Sequence, residues 1–169
     1  MELTPLALVR RDGVLPQSRL VEAIVGEPVR GSWWGHPMGK VVYAAMQVLA
    51  ESPDVMVTRL GGRVTWVHRD VWPILARVVH DPVWRAGAVA ALSPDARALL
   101  HTVEEEGEVR NPPKKPREAL EALLLVAAEQ VHEGHHVVVL RPWRFEGEVA
   151  GTLEEALAAL VQLGVPLGK

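Results

Sequence analysis

Two adjacent glycines between two β-type runs are the strongest constraint on how this chain folds. Gly61-Gly62 separates residues 55–60 from residues 63–68, and both runs are rich in valine, threonine and other strand-forming residues. A Gly-Gly pair suits the primed turns of tight hairpins, because these turns need a positive φ at both central positions. The spacing therefore predicts an antiparallel hairpin with a two-residue turn. Counted outward from that turn, the predicted pairs are Leu60 with Arg63, Arg59 with Val64 and Val57 with Trp66.

The segments before the hairpin predict a strand and two helices. Residues 6–11 form a short apolar run that favours a strand, and apolar spacing predicts a helix over 17–25. A second helix is predicted over 38–51, with Val41 and Val42 in its buried stripe. Helix, loop, helix and hairpin is the order of a winged-helix module. In such modules the helix before the hairpin enters the major groove and the hairpin contacts phosphates.

That order predicts a set of nucleic-acid contacts. Lys40, Tyr43 and Gln47 lie off the apolar stripe at spacings of three and four residues, so they share one outer face and can meet base edges. Arginines before the tryptophan pair, at the hairpin tip and at its base can contact phosphates. They are Arg30, Arg59, Arg63 and Arg69. The same pattern also fits a winged helix with a structural or protein-binding role, since the predicted recognition helix is poor in cations.

Charge is unevenly distributed along the chain. Residues 1–85 carry ten Lys or Arg against eight Asp or Glu, whereas residues 86–169 carry eight against thirteen. The net charge of −3 argues against a protein that coats polyanions indiscriminately. Any anionic partner, DNA or RNA, is therefore expected at the first half.

The most distinctive segment is Arg30-Gly31-Ser32-Trp33-Trp34-Gly35-His36-Pro37. An exposed indole pair can stack on bases or hold a planar ligand. Neighbouring indoles in an irregular loop cannot easily both point inward, so we expect one of Trp33 and Trp34 to be partly exposed. The chain has six tryptophans against one phenylalanine and one tyrosine, which makes tryptophan its general-purpose aromatic residue. Trp66, Trp72 and Trp84 are therefore predicted to lie in the core.

Two other classes of function remain open. An enzyme or small-ligand binder could form a pocket from the tryptophan pair with Ser32, His36 and His68, and the two imidazoles could then do acid–base chemistry. However, no acid is placed to orient His36, and Ser32 is more simply a residue that braces the following helix. No phosphate-binding loop or dinucleotide fingerprint is present, so we predict no cofactor, and the sequence favours a binding protein over an enzyme without deciding between them. A homo-oligomeric scaffold with exposed tryptophan at its interface is the remaining alternative.

A histidine-rich segment raises the question of a metal site. His132-Glu133-Gly134-His135-His136 places three imidazoles and a carboxylate within five residues. Gly134 is a natural helix end, and His135 and His136 would enter a strand on opposite faces. We therefore predict no bound metal, with His132, His135 and His136 as the residues to test.

The second half predicts a connector followed by a small segment. Asn111-Pro112-Pro113-Lys114-Lys115-Pro116 favours a stiff, solvated connector over 107–116. Beyond it we predict a helix over 117–133, a strand over 136–140 and a last helix that begins at the capping box of Thr152 and Glu155. No repeat is evident along the sequence. The predicted fold is α+β and mostly α: a winged-helix-like core over 1–106 and an αβα segment over 117–169 packed on it.

Composition indicates which chemistry is excluded and in which environment the protein is expected to work. The absence of cysteine excludes disulfides, thiolate zinc sites and thiol catalysis. The start of the chain does not resemble a signal peptide and no apolar run could span a bilayer, so we expect a cytoplasmic protein without membrane contact. A single asparagine, 13 prolines and more arginine than lysine are typical of heat-adapted proteins, although a GC-rich genome produces the same bias.

Several phrases of the chain resemble an uncharacterised family of bacterial proteins with no assigned activity. They are Gly31-Ser32-Trp33-Trp34 with His36-Pro37, His68-Arg69 with Trp72-Pro73, and His132 with His136 and Trp143. Together they extend over most of the chain. The resemblance implies that residues 1–169 form one unit, and it implies no activity.

Overall fold

The structure is a computed structural model that describes residues 4–132 and 135–167. Within these residues it has eight α-helices and two small antiparallel sheets, so the prediction of a mostly-α α+β fold is confirmed. The elements are α1 (Pro5–Asp12), β1 (Val14–Pro16), α2 (Gln17–Val25), α3 (Gly39–Glu51), β2 (Val55–Leu60), β3 (Arg63–His68), α4 (Trp72–Val79), α5 (Pro82–Ala90), α6 (Pro94–Glu106), β4 (Val109–Arg110), α7 (Lys114–Ala122), β5 (Ala127–His132), β6 (His136–Arg141) and α8 (Leu153–Gln162).

The first sheet contains the predicted hairpin. Strands β2 and β3 pair in the expected register, with Val57 opposite Trp66 and Arg59 opposite Val64. Gly61 and Gly62 have φ values of 58° and 78°, which is the backbone that a primed turn requires. Strand β1 adds to the other edge of β3, so the strand order is β1-β3-β2.

The prediction of a strand over 6–11 is wrong, because these residues form helix α1. The Thr4 hydroxyl accepts a hydrogen bond from the Ala7 amide at 3.1 Å, and Pro5 occupies the first turn. Leu8 and Val9 are buried by this helix. A short apolar run fits both a strand and a buried helix, and here the cap decides between them.

The predicted helix over 117–133 is also only partly correct. Helix α7 covers 114–122, and Leu124 then takes a positive φ of 55° that ends any helical continuation. Residues 127–132 form β5 and pair with β6. This stretch has strong helix formers at helical spacing, but strand pairing and burial override that local preference.

Residues 107–116 are not a solvated connector. Val109 and Arg110 pair with Leu140 and Val139, which makes β4 the third strand of a second sheet with the order β4-β6-β5. Pro112 is buried, and α7 has already begun at Lys114. Arg141 secures this sheet, since its guanidinium donates to Glu108 and to Glu129. These hydrogen bonds, that to Glu108 first, raise the pKa of Arg141 above its usual value.

The two halves share one plan of construction. Each has a helix, a short strand, further helix and a hairpin, and in each the short strand pairs with the second strand of the hairpin. The first half places α2 and α3 before its hairpin, whereas the second half places α7 alone there. The sequence shows no repeat because what recurs is strand pairing, not side-chain identity.

The hydrophobic core joins elements from both halves. One cluster contains Val67 and Leu75 from the first half together with Leu160 from α8 and Trp143. A second lies under α6, α7 and the second sheet, and a third lies among α1, α2, α3 and Trp66. Trp72 and Trp84 pack partly buried against the first cluster, in agreement with their predicted place. None of the described helices is both long and apolar enough to cross a bilayer.

Candidate nucleic-acid interface

The polar side chains of the tryptophan loop hold the loop itself in shape. The Ser32 hydroxyl accepts a hydrogen bond from the Trp34 amide at 3.3 Å and caps the short 3-10 turn Trp33–Gly35. His36 Nδ1 accepts one from the Met38 amide at 3.0 Å. A Cβ on Gly39 would lie 3.0 Å from the carbonyl oxygen of Trp33, so a glycine lets the loop close against the start of α3. Ser32 and His36 thus act as structural braces.

The two indoles of the loop stack on each other and remain accessible. Their ring centroids lie 4.3 Å apart with an interplanar angle of 21°, and Tyr43 lies 5.7 Å from Trp34. Trp34 is 63% exposed, whereas Trp33 is half-buried. The expectation that one of the pair is exposed is confirmed.

The outer side of α3 continues this aromatic surface. Lys40, Tyr43 and Gln47 are all exposed, as their spacing predicts, and with Trp34 they form what we call the α3 face. Val41 is 52% exposed, so its predicted place in the buried stripe is wrong. It lies at the border of the stripe, where a small rotation of the helix decides between core and solvent. Lys40 is the one cation of α3.

Arg59 does not lie where a phosphate contact requires, which corrects the prediction for that residue. Its Nε donates to Glu121 Oε1 at 2.9 Å and its Nη1 donates to Gln130 Oε1 at 2.8 Å. The Arg59 side chain is 11% exposed and that of Glu121 only 1%. Beside this ion pair, the Thr58 hydroxyl donates to the Ala128 carbonyl at 3.0 Å. Strand β2 is therefore covered by the second half of the chain.

The other predicted arginines are exposed. Arg69 pairs with Asp54 at 2.9 Å at the base of the hairpin, where both side chains are solvated. Arg63, at the tip, and Arg30, before the loop, are exposed and have no ion pair within the described residues. Two unpaired arginines thus remain near the tryptophan loop.

A cleft of about 540 Å³ connects the tryptophan loop to the hairpin tip; we call it the Trp33 cleft. It is lined by Gln17, Ser18, Val21, Val29, Gly31, Trp33, Arg63, Val64 and Gln130. Sequence reasoning missed Gln17, Ser18 and Gln130. No local signal identifies them, because Gln130 reaches the cleft only through the unexpected strand β5.

The pocket predicted from Ser32, His36 and His68 is not formed. None of the three lines the Trp33 cleft, and His68 lies in a separate cleft with Arg10 and Arg69. His68 is buried and its Nδ1 accepts a hydrogen bond from the Asp70 amide at 3.1 Å. The histidines predicted for acid–base chemistry are thus used in backbone hydrogen bonds.

The histidine-rich segment shows no metal-binding arrangement in the part of the chain that the structure describes. His132 and His136 are paired positions of the β5–β6 hairpin, and the side chains of His135 and His136 are exposed. The side chain of His132 and residues 133–134 lie outside the described residues. Among the described side chains of residues 4–132 and 135–167, no three His, Asp or Glu side chains lie close enough together to share a metal ion.

Comparisons with known proteins return nothing similar to this chain: no family model, no curated protein and no solved structure matches it.

Proposed function

We propose that the protein binds nucleic acid through the α3 face and the stacked pair Trp33-Trp34. The observation that carries this proposal is Trp34, which is largely exposed, stacked on Trp33 and next to Tyr43. A large indole left in water beside a tyrosine is costly unless a partner covers it. Every nucleobase offers a planar face that can do so.

The topology of the first half supports this interpretation. The order α1-β1-α2-α3-β2-β3, with the strand order β1-β3-β2, is what we expect of a winged-helix-like module. In such a module α3 is the recognition helix, and its outer side carries Lys40 and Gln47 as donors. The hairpin differs from a free wing because β2 is covered.

Exposed cationic side chains support nucleic-acid binding at the same surface. Arg30, Lys40 and Arg63 are exposed and without an ion pair in the described residues, so each is available for a phosphate. Three phosphate contacts are few, and binding of this kind weakens measurably with salt without being abolished. We therefore expect modest affinity and a shallow salt dependence.

The test is fluorescence anisotropy with labelled duplex DNA, single-stranded DNA and RNA at low and at physiological salt. Stacking on an aromatic side chain contributes about 1–3 kcal/mol per base, so Trp34→Ala should weaken binding about 5-fold to 150-fold. Val83→Ala, which shortens an exposed apolar residue on α5, is the matched control and should change nothing. Absence of binding at low salt, or equal affinity of wild type and Trp34→Ala, would refute the proposal.

A second candidate is self-association through the same helix. Val41 and Val48 are exposed on α3 and lie seven residues apart, so the helix also presents an apolar strip outside the α3 face that a second copy of the chain could cover. Sedimentation velocity of wild type and Val48→Glu separates the two candidates. A dimer that Val48→Glu dissociates, without nucleic-acid binding, would favour self-association; a monomer at all concentrations would remove it.

A further inference from the structure

We infer that the Trp33 cleft holds one unpaired nucleotide of a single-stranded nucleic acid, with the base beside Trp33 and its phosphate on Arg63. The inference rests on the proposed function and specifies the strand type and the pocket. Trp33 is the link between the two surfaces, because it stacks on the exposed Trp34 and also lines the cleft.

A nucleobase has apolar faces and a polar edge, and the walls of the cleft offer a partner for each. Trp33, Val21, Val29 and Val64 supply apolar surface for a planar ring. Gln17, Ser18, Gln130 and Arg63 supply polar groups. A cavity of about 540 Å³ is within the range of small-molecule sites, about 300–1,000 Å³, and those sites share this apolar lining with a few polar groups.

The polar groups differ in how firmly they are held. The Gln130 carboxamide is fixed, since its Oε1 accepts from Arg59 and its Nε2 lies 3.2 Å from His136 Nδ1. That oxygen keeps a second lone pair that a base amino group can use. The side chains of Gln17 and Ser18 have no hydrogen-bond partner within the described residues, so they are available to the edge of a base.

Arg63 lies where the phosphate backbone would leave the cleft. It lines the Trp33 cleft and also a larger neighbouring cleft of about 850 Å³, which Lys115 lines as well. Two carboxylates, Glu118 and Glu121, line this second cleft too, and Glu121 is already paired with Arg59. A strand that passes from one cleft to the other would meet Arg63 and then Lys115.

The same geometry disfavours a duplex as the main ligand. Bases of a duplex are stacked and paired, so none is free to enter a cleft without being extruded. Helix α3 offers a single cation to the groove of a duplex, and strand β2 of the hairpin that would reach its phosphates is covered by the second half of the chain. An unpaired strand can use the indoles and the cleft directly.

The experiment compares a labelled single-stranded DNA 12-mer, the corresponding duplex and AMP as a free nucleotide. Arg63→Met removes the phosphate contact, and Ser18→Trp fills the cleft from its exposed rim. Both should weaken single-strand binding about tenfold. Ser18→Trp should leave duplex binding unchanged, whereas Arg63→Met should weaken duplex binding by a smaller factor, because only the general phosphate contact is lost there. Arg10→Met, an exposed arginine that lines a different cleft, is the matched control. Circular dichroism melting should show that every variant is folded.

The outcomes separate this inference from the proposed function. If no nucleic acid binds, both fail. If Trp34→Ala weakens binding but Arg63→Met and Ser18→Trp do not, or if duplex and single strand bind equally, the proposed function stands and the cleft assignment is overturned. Equal affinity for AMP and the 12-mer would assign the cleft to a free nucleotide and refute the single-strand assignment.

Discussion

Removal of the Arg59 side chain should destabilise the protein much more than its place at a hairpin tip suggests. Arg59 and Glu121 are joined at 2.9 Å, and their side chains are 11% and 1% exposed. In Arg59→Met the Glu121 carboxylate would stay buried without a counter-charge, and its Oε2 already has no hydrogen-bond partner within the described residues. Gln130 would lose the donor that holds its Oε1.

The expected cost follows from the burial of the pair. Removing one partner of a buried ion pair destabilises proteins by about 3–5 kcal/mol, because an uncompensated charge remains in a poorly solvated place. Against a total stability of about 5–15 kcal/mol this is a large fraction. With a slope of about 2 kcal/mol per molar urea, a loss of 3 kcal/mol lowers the unfolding midpoint by about 1.5 M.

Urea unfolding followed by circular dichroism measures this loss directly. Arg63→Met is the matched control: it removes the same group from the same hairpin, but from an exposed side chain, and should change stability by less than about 0.5 kcal/mol. Adding Glu121→Met to Arg59→Met should recover part of the loss, since the buried charge is then gone. If Arg59→Met were as stable as wild type and lost nucleic-acid affinity as Arg63→Met does, the Arg59 side chain would face solvent and our reasoning would be wrong.

Two further predictions concern the contact of the C-terminal segment with the first half. A Cβ on Gly61 would overlap with Pro166 Cγ, whereas a Cβ on Gly62 would meet no atom closer than 3.8 Å. Both glycines have a positive φ, so both substitutions strain the backbone. Because only Gly61→Ala adds a steric overlap, it should lower the melting temperature more than Gly62→Ala. Equal shifts would mean that the Pro166 contact contributes nothing. Leu160→Ala should cost about 2–5 kcal/mol in urea unfolding because Leu160 is fully buried, while Val161→Ala, at an exposed neighbouring position, should cost less than about 0.5 kcal/mol. Similar effects at both positions would contradict the packing of α8.

The features that the sequence predicted correctly depend on residues close together in the chain. The Gly61-Gly62 turn sets the register of its hairpin, and Thr152 and Glu155 form their capping box through two hydrogen bonds of 3.1 Å. The exposed face of α3 follows from helical spacing alone. Each of these signals is complete within a few residues, so no distant contact can easily change it.

The errors occur where a local pattern allows two structures. Residues 6–11 and 123–131 are apolar stretches that suit a strand or a helix, and the choice depends on what packs or pairs with them. Residues 127–132 become a strand because β6 pairs with them and the resulting sheet covers the second core cluster. Neither the composition nor the spacing of apolar residues predicts that pairing.

The candidate site shows the same division between local and long-range causes. The tryptophan loop and the outer side of α3 were accessible to sequence reasoning, since spacing and crowding decide which side chains reach solvent. Arg59 and Arg63 are identical residues four positions apart in one hairpin. Arg59 is buried because it pairs with Glu121, which lies 62 residues further along the chain, whereas Arg63 stays exposed. The hairpin turn, the Thr152 cap and the exposed positions Lys40, Tyr43 and Gln47 of α3 follow from short stretches of sequence. The tertiary structure decided which strands pair, which charges are neutralised and where a cleft opens, because those depend on surfaces brought together from distant parts of the chain.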